Sequence, residues 1–494
     1  MFEKVPKNER LGRVLTTFPA VLTILGCLLV FPFTTVTHQT ALAWGCVGGS
    51  GALLVLTIAL YRQSDAVSGA LLCGAGALLR LLHIVRFPYW RMQHDVGHFT
   101  DDGGHAAYIR WFLEHDGLPP FDGRTVWQFY HPPLHHALEG AWLRLLTACG
   151  VEGDALWEAA QMLPFAYSTA ALVVFALILR EVGARGAAFR VPLAVMAVHP
   201  AFLILAGSLN NDMLSILCMM LALLWTLRWD KDPAARNIVP IALAIGLGML
   251  AKLSAWMAAP AAAIVFLRHL VFEKDKRRLV GQFVLFGAIC CPLGLFWSVR
   301  GLVRWGIPPT WIPMLSDTDK QYVGNIPIYR RLFDLSPSQF TYVYDCFTQY
   351  GQAYNEYSPL VALMKTAVFD EFLNTEKFPA LAGWGEALFW IHAALALVVT
   401  ACAVRTCLTK DGRLMPKLVL AGTYLVTIGS YIGFCLSFAH VCTQSIRYAT
   451  PVIYTSLLLA AMGTGKRGVL EKIVLVLAAA FTAVSWGVFA VVVR

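Results

Sequence analysis

Apolar runs of roughly 17 to 25 residues recur along this chain from end to end, each parted from the next by a polar or charged stretch. About 20 residues is the length of helix that crosses about 30 Å of hydrocarbon with its backbone polar groups bonded internally. Read this way, the runs give about thirteen spans, near 14–33, 41–60, 66–85, 160–181, 191–207, 213–228, 238–251, 254–271, 280–300, 384–404, 416–438, 450–465 and 471–493. The pattern predicts an all-α polytopic membrane protein. Two connections are long, 86–159 and 301–383, and there the periodicity changes.

In the first connection Pro132-Pro133 stops the chain. Leu134, Leu138, Trp142, Leu145 and Leu146 then recur at helical spacing with His135, Glu139 and Arg144 between them. That predicts an amphipathic helix resting on the membrane surface. Ala106 to His115 predicts a second one, with Tyr108, Trp111 and Phe112 on one side and Arg110 and Glu114 on another. The second connection is rich in Pro, Tyr, Asp and Gln, as in Gln339 to Asp345. A connection so long and aromatic is expected to fold as a small cap rather than stay disordered.

Composition agrees with the pattern: 494 residues, 58% hydrophobic and 14% charged, with 15 Trp and 29 Phe. Basic residues gather in alternate short connections, including Lys4, Lys7, Arg10 and Arg13; Arg62; Arg180, Arg185 and Arg190; Arg268 and Lys274 to Arg278; Lys466 and Arg467. By the positive-inside rule these segments and the N-terminus face the cytoplasm, and both long connections lie outside. The formal charge of +9 is thereby explained by inner-face anchoring, so no nucleic-acid partner is expected. The first span shows no trustworthy cleavage site and is read as a retained helix. Most of the 12 Cys fall inside spans as apolar fillers; Cys149, Cys346 and Cys442 fall outside, where a disulfide can form but sequence does not pair them.

The chemistry is concentrated in the first long connection. Gln93 to His105 holds Asp95, Asp101 and Asp102 with His94, His98 and His105, and Trp127 to His136 adds Tyr130, His131, His135 and His136. These six histidines are nearly half of the 13 in the chain. A carboxylate partly desolvated at the interface can act as general base toward a hydroxyl. Asp101 and Asp102 are also placed to cap the helix that begins near Gly104. Imidazole with carboxylate suits a divalent metal such as zinc or manganese, but no HExxH or comparable fixed spacing is present, and no metal ligands are assigned. Arg80, His83, Asp212, Lys252 and Arg447 sit within or at the ends of spans, all toward the outer side, where a charge is tolerated mainly when it faces a cavity or a partner. Asp317-Thr318-Asp319 and Asp230-Lys231-Asp232 match a three-residue pattern too short to carry weight, and there is no P-loop.

Taken in order, these residues resemble the GT-C superfamily of integral-membrane glycosyltransferases, in particular the dolichyl-phosphate-mannose protein mannosyltransferase-like group (family 39-like) that includes bacterial lipid A aminoarabinose transferases. The resemblance rests on Asp101 to Ile109, His131-Pro132-Pro133-Leu134, Asn210-Asn211-Asp212-Met213-Leu214, Gly248 to Lys252 and Arg447-Tyr448. It implies a GT-C-like core at 66–300 after an N-terminal two-helix addition at 1–65, a cap at 301–383 and C-terminal spans at 384–494. It further implies a polyprenyl-phosphate sugar donor, an extracytoplasmic acceptor and inverting transfer. The acids Asp95, Asp101 and Asp102 would supply the base. Arg447, Lys252, Arg80 and His131 would hold the donor phosphate, with His94, His98, His105, Tyr130, Asn211, Asp212 and Tyr448 lining the site. Where the family has Asp-Glu this chain has Asp101-Asp102; motif spacing favours Asp101 as base, and proximity to the third span favours Asp95. Two other readings compete: a transporter or flippase, which would show two similar halves that are not found here, and a polymerase or ligase of lipid-linked glycans.

Overall fold

The computed structural model describes residues 7–33, 40–60, 64–341, 343–344, 356–463 and 468–492. Lys4, Arg62, Asp345, Cys346, Lys466 and Arg467 lie outside the described residues. The described chain is built from helices, and its one β-bridge pairs Tyr322 with His440. By contacts it forms two compact units, one of Met1–Ala197 and Leu203–Trp311, the other of Val198–Phe202 and Ile312–Arg494.

The first unit begins with α1 (Lys7–Val30), α2 (Thr40–Ala59) and α3 (Asp65–Arg86). Ser64 caps α3 by accepting the Val67 N–H, and α3 packs against both preceding helices. Two helices of the first long connection follow, α4 (His105–Glu114) and α5 (Leu134–Ala148), then α6 (Gly153–Ala159), α7 (Met162–Glu181) and α8 (Ala187–Val198); after a break at His199 comes α9 (Pro200–Ile204), whose first three residues belong with Val198–Phe202 to the second unit. The unit continues with α10 (Asp212–Lys231), α11 (Ala235–Ala251), α12 (Ala259–Phe272) and α13 (Lys276–Trp305). Close packing depends on a missing side chain in α3: a Cβ on Gly76 would lie 2.5 Å from Leu172 of α7.

The second unit holds α14 (Ile328–Phe333), α15 (Pro359–Phe369), α16 (Leu381–Leu408), α17 (Leu414–Ser437), α18 (Pro451–Gly463) and α19 (Val469–Gly487). The turn before α18 is fixed by Tyr431, whose hydroxyl lies between the carbonyls of Pro359 (2.8 Å) and Gln444 (2.9 Å), and by the Ile446 N–H donating to Thr366 Oγ1 at 2.9 Å.

Among the described residues ten helices are long and apolar enough to cross a membrane, eleven if the bent α8–α9 pair is one span. The remaining two of the thirteen expected spans are α11, of 17 residues, and α18, of 13. At 1.5 Å per residue α11 reaches only about 25 Å, short of the hydrocarbon thickness, and the described part of α18 about 20 Å, with the residues after Gly463 outside the described ones. The fold is thus an all-α, multi-pass membrane protein, with ten or eleven full-length spans among the described residues.

One expectation about the first long connection is corrected. Three polar residues of α5 turn inward: His135, His136 and Glu139 are fully buried, while Leu138 and Leu145 are 41% and 56% exposed and Arg144 stays at the surface beside Asp116. Helical periodicity is the same whichever side faces water. In a chain surrounded by lipid the apolar stripe can face outward and the ionisable stripe inward.

Candidate functional site

The first unit gathers four of the sequence motifs around the turn that precedes α10. The Gln93 side chain clamps this turn, its Nε2 donating to the Gly207 carbonyl at 2.7 Å and its Oε1 accepting the Leu209 N–H at 2.9 Å. His135 of α5 grips the same residue, with Nε2 2.7 Å from the Leu209 carbonyl. A carbonyl can only accept, so Nε2 carries the proton. Beyond the turn Asn211 Nδ2 donates to the Ala251 carbonyl at 2.7 Å, and the adjacent pair, Asp212 and Lys252, forms an ion pair with side chains 2% and 13% exposed. Asn211, Asp212, Lys252 and the start of the acid loop therefore belong to one structure.

The acid loop itself is held in an uncommon backbone shape. Met92 and Asp95 have φ of +62° and +56°, and Gly97 and Gly104 have +63° and +100°. Positive φ is uncommon for non-glycine residues and costs of order 1–3 kcal/mol unless the surroundings enforce it. Here they do. The Asp95 and Val96 carbonyls accept the N–H groups of His105 (3.1 Å) and Ala106 (2.9 Å), which closes the loop onto the first turn of α4. A Cβ on Gly104 would lie 2.5 Å from the Val96 oxygen, so no other residue fits there without a shift.

This geometry corrects the expected helix cap and separates the three acids. The residue that caps α4 is Gly104, without a side-chain bond, so neither Asp101 nor Asp102 serves as N-cap. Loop carbonyls already satisfy the first-turn donors. Asp101 is exposed and spends Oδ2 on the His98 N–H at 2.7 Å, as in a turn-forming Asp, while Arg110 braces its carbonyl at 3.0 Å. Asp102 is exposed, and Asp95 is half-buried on the strained segment.

Beside this loop lies a stack of rings. His105 Nδ1 and His136 Nε2 are 2.8 Å apart, so one donates and the other accepts. The His131 ring stacks on His105 at 5.4 Å, and Tyr108 covers His136 at 4.2 Å. Burial, reinforced by the neighbouring imidazoles, holds His105 and His136 well below the usual histidine range, and burial lowers His135 to about 4. The three are neutral at pH 7. Glu139, one turn after His135, has neither carboxyl oxygen hydrogen-bonded, and burial pushes it well above the usual carboxylate range. It is therefore protonated.

The remaining expected residues are scattered. His94 is buried and His98 is exposed beside the Tyr89 hydroxyl, 3.5 Å from it. Tyr130 is half-buried, its carbonyl accepting the Trp297 indole N–H at 2.9 Å. Arg80 is completely buried inside the bundle, where it donates to Ser168 Oγ (2.9 Å) and to the carbonyls of Gly76 (2.9 Å) and Ala197 (3.0 Å). Those contacts make it a helix-packing residue. In the second unit Arg447 and Tyr448 sit on a short 3-10 turn, with the guanidinium 4.8 Å from the Tyr448 ring.

Sequence reasoning gave Gln93 no role and read Glu139 only as part of a surface helix. The spacing of His135 and Glu139, four residues apart, was the available signal that both share a face. Among the described residues no three His, Cys, Asp or Glu side chains converge as a metal-ligand set, and Cys149 is a free, exposed thiol.

Fold and site define a polytopic membrane protein with an ionisable cluster at one end of its first helical unit. Within that class, residues 131–299 match the family described as dolichyl-phosphate-mannose-protein mannosyltransferase, which supports the resemblance carried by the motifs. The matched segment includes His131-Pro132-Pro133, Asp212 and Lys252; Asp95, Asp101 and Arg447 lie outside it. No curated protein matches the chain. Among solved structures it is similar to ArnT from Cupriavidus metallidurans. The apo form shares 16% identity over 84% of this chain and 76% of that one, with a TM-score of 0.36. The form bound to undecaprenyl phosphate shares 17% identity over 84% and 77%, with a TM-score of 0.33.

Proposed function

We propose that this chain is a glycosyltransferase that moves a monosaccharide from a polyprenyl-phosphate carrier to an acceptor hydroxyl on the extracytoplasmic side of the membrane. The observation that carries the reading is the position of Asp95, half-buried on a strained loop that Gln93 ties to the turn bearing the Asp212–Lys252 pair, a turn that His135 of α5 also grips. A base and a phosphate-binding cation belong to one braced structure, as transfer from a lipid phosphate requires. The alternation of basic connections supports the orientation.

In this mechanism Asp95 takes the proton of the acceptor hydroxyl as its oxygen attacks the anomeric carbon. A new C–O bond forms there while the bond to the phosphate oxygen breaks, and the phosphate leaves with the electron pair. One displacement from the face opposite the leaving group inverts the anomeric centre. Lys252 and His131 receive the charge developing on the phosphate. Asp212 orients Lys252. Asp101 and Asp102 shape the loop and have no part in proton transfer.

The test is consumption of a polyprenyl-phosphate sugar by the purified protein, together with mass spectrometry of envelope glycans and lipids with and without the gene. Asp95→Asn is expected to slow transfer by about 10²- to 10⁴-fold, the usual contribution of a general base. Asp101→Asn keeps an acceptor oxygen for His98 and is expected to stay within about tenfold of the parent, since only part of a loop contact changes. Equal losses in both variants would refute the assignment of Asp95. Movement of solute across vesicles with no consumption of donor would refute the enzyme reading and favour a transporter.

A further inference from the structure

Next to the acid loop, within the first unit, a cleft opens at the C-terminal end of α13. Tyr130, Leu253, Trp297, Arg300, Trp305 and Trp311 line it. Its aromatic rings differ from those of a membrane-interface belt. Trp90, Trp127 and Trp256 are 49%, 50% and 44% exposed and point outward as belt residues do, whereas Trp297, Trp305 and Trp311 are half-buried around the cleft. Trp297 is fixed by its bond to the Tyr130 carbonyl, and Trp311 meets the Tyr130 ring edge-on at 5.7 Å.

The cation in this cleft is Arg300. Its guanidinium lies 4.9 Å from the Trp297 ring and 4.5 Å from the Trp305 ring, and one arm donates to the Pro119 carbonyl. Among the described residues no carboxylate pairs with it. An arginine held against two indoles and one carbonyl is pre-organised and keeps donors for an anion. Flat aromatic walls suit the C–H face of a pyranose ring, whose hydroxyls then point to the rim.

We propose that this cleft is the acceptor subsite and that it takes an anionic pyranose, the ring against the indoles and the acidic group on Arg300. The proposal rests on the glycosyltransferase reading above and names the substrate class for it. The cleft adjoins the reacting centre because Tyr130 and Leu253 are the chain neighbours of His131 and Lys252. It contains no carboxylate that could act as base, so it is not where the donor sugar is attacked. Lys252 and His131 hold the donor phosphate, which leaves Arg300 for a second anion.

Calorimetric titration of the full chain in lipid nanodiscs tests this with methyl β-D-glucuronide, its neutral counterpart methyl β-D-glucoside, and undecaprenyl phosphate. The glucuronide is expected to bind at least about tenfold more tightly than the glucoside, about 1.4 kcal/mol for one charge-assisted contact. Arg300→Gln is expected to erase that preference and Arg300→Lys to keep part of it. Trp305→Leu should weaken both sugars, and Trp90→Leu neither. Saturating undecaprenyl phosphate should leave glucuronide binding unchanged. Displacement of the glucuronide by undecaprenyl phosphate would reassign the cleft to the donor and overturn the proposal. So would the lack of saturable glucuronide binding, or a preference that Arg300→Gln leaves intact. Because binding is read without turnover, a protein that binds the glucuronide but never consumes a lipid-linked sugar would sink the enzyme reading alone.

Discussion

Lys252 is assigned two tasks, balancing a buried acid and holding a phosphate, and a double-mutant cycle separates them. Asp212 has a side chain 2% exposed and Lys252 one 13% exposed, so Lys252→Met leaves a carboxylate in the protein interior with its ion-pair partner gone. Removing one member of a buried pair typically costs about 3–5 kcal/mol, whereas replacing both with neutral groups of similar size is near neutral. Lys252→Met and Asp212→Asn are therefore each expected to destabilise by about 3 kcal/mol or more, and the double variant by about 1 or less, a coupling of about 5 kcal/mol that exceeds the usual range for contacting residues because each single variant strands a buried charge. Equilibrium unfolding in mixed micelles of increasing SDS content measures the four stabilities, and donor consumption is assayed on the same samples. Stability should return in the double variant while transfer does not, because the cation that meets the phosphate is still missing. A double variant as unstable as the worse single would refute the compensation argument. Recovery of transfer along with stability would refute Lys252 as a phosphate ligand.

Arg80 and Glu139 offer two further tests. Arg80→Gln should destabilise by about 3 kcal/mol, because it strips charge-assisted hydrogen bonds from Ser168 and two backbone carbonyls, and should leave the donor KM of the folded fraction unchanged. A tenfold rise in that KM without loss of stability would return Arg80 to the phosphate site. Glu139 is protonated when folded and ionises near pH 4.5 when unfolded, so the wild-type loses about 1.4 kcal/mol per pH unit from this group as pH rises above 4.5 toward the folded value. Glu139→Gln removes that loss, and the melting temperatures of variant and parent should diverge, in the variant's favour, as pH rises above about 4.5. His105, His135 and His136 act with the opposite sign, since burial depresses them and the unfolded chain takes up their protons below about pH 6.5. Both proteins should therefore also lose stability as pH falls through that region, and a parent whose melting point rises steadily to pH 8 would contradict the protonated state of Glu139.

The spans were legible because hydropathy over twenty residues reports a single dominant cost, that of exposed backbone and charge in hydrocarbon. Asp212 and Lys252 could be singled out for the same reason, each being a charge at the end of an apolar run. What such a run does not encode is where its helix ends, and α11 has the composition of a span while its helix is 17 residues long. Arg80 shows the other limit. A charge deep in an apolar run must find partners, but sequence does not say whether these are a ligand's oxygens or, as here, Ser168 and two carbonyls of neighbouring turns.

The acids were harder to rank because the property that distinguishes them belongs to the backbone. Asp95, Asp101 and Asp102 share one side-chain chemistry and lie within eight residues, and the motif they resemble points to the later pair. The distinction comes from where the loop spends its bonds. Carbonyls of Asp95 and Val96 satisfy the start of α4, which relieves Asp101 and Asp102 of capping it, and the His98 N–H then occupies Asp101. The same closure forces Asp95 to φ of +56°, a conformation its own preferences oppose. Asparagine adopts positive φ at least as readily as aspartate, so Asp95→Asn should fold with the loop intact. Any loss of transfer in that variant is then a loss of the carboxylate's proton affinity and not of the loop's shape, which is what makes this substitution a test of chemistry.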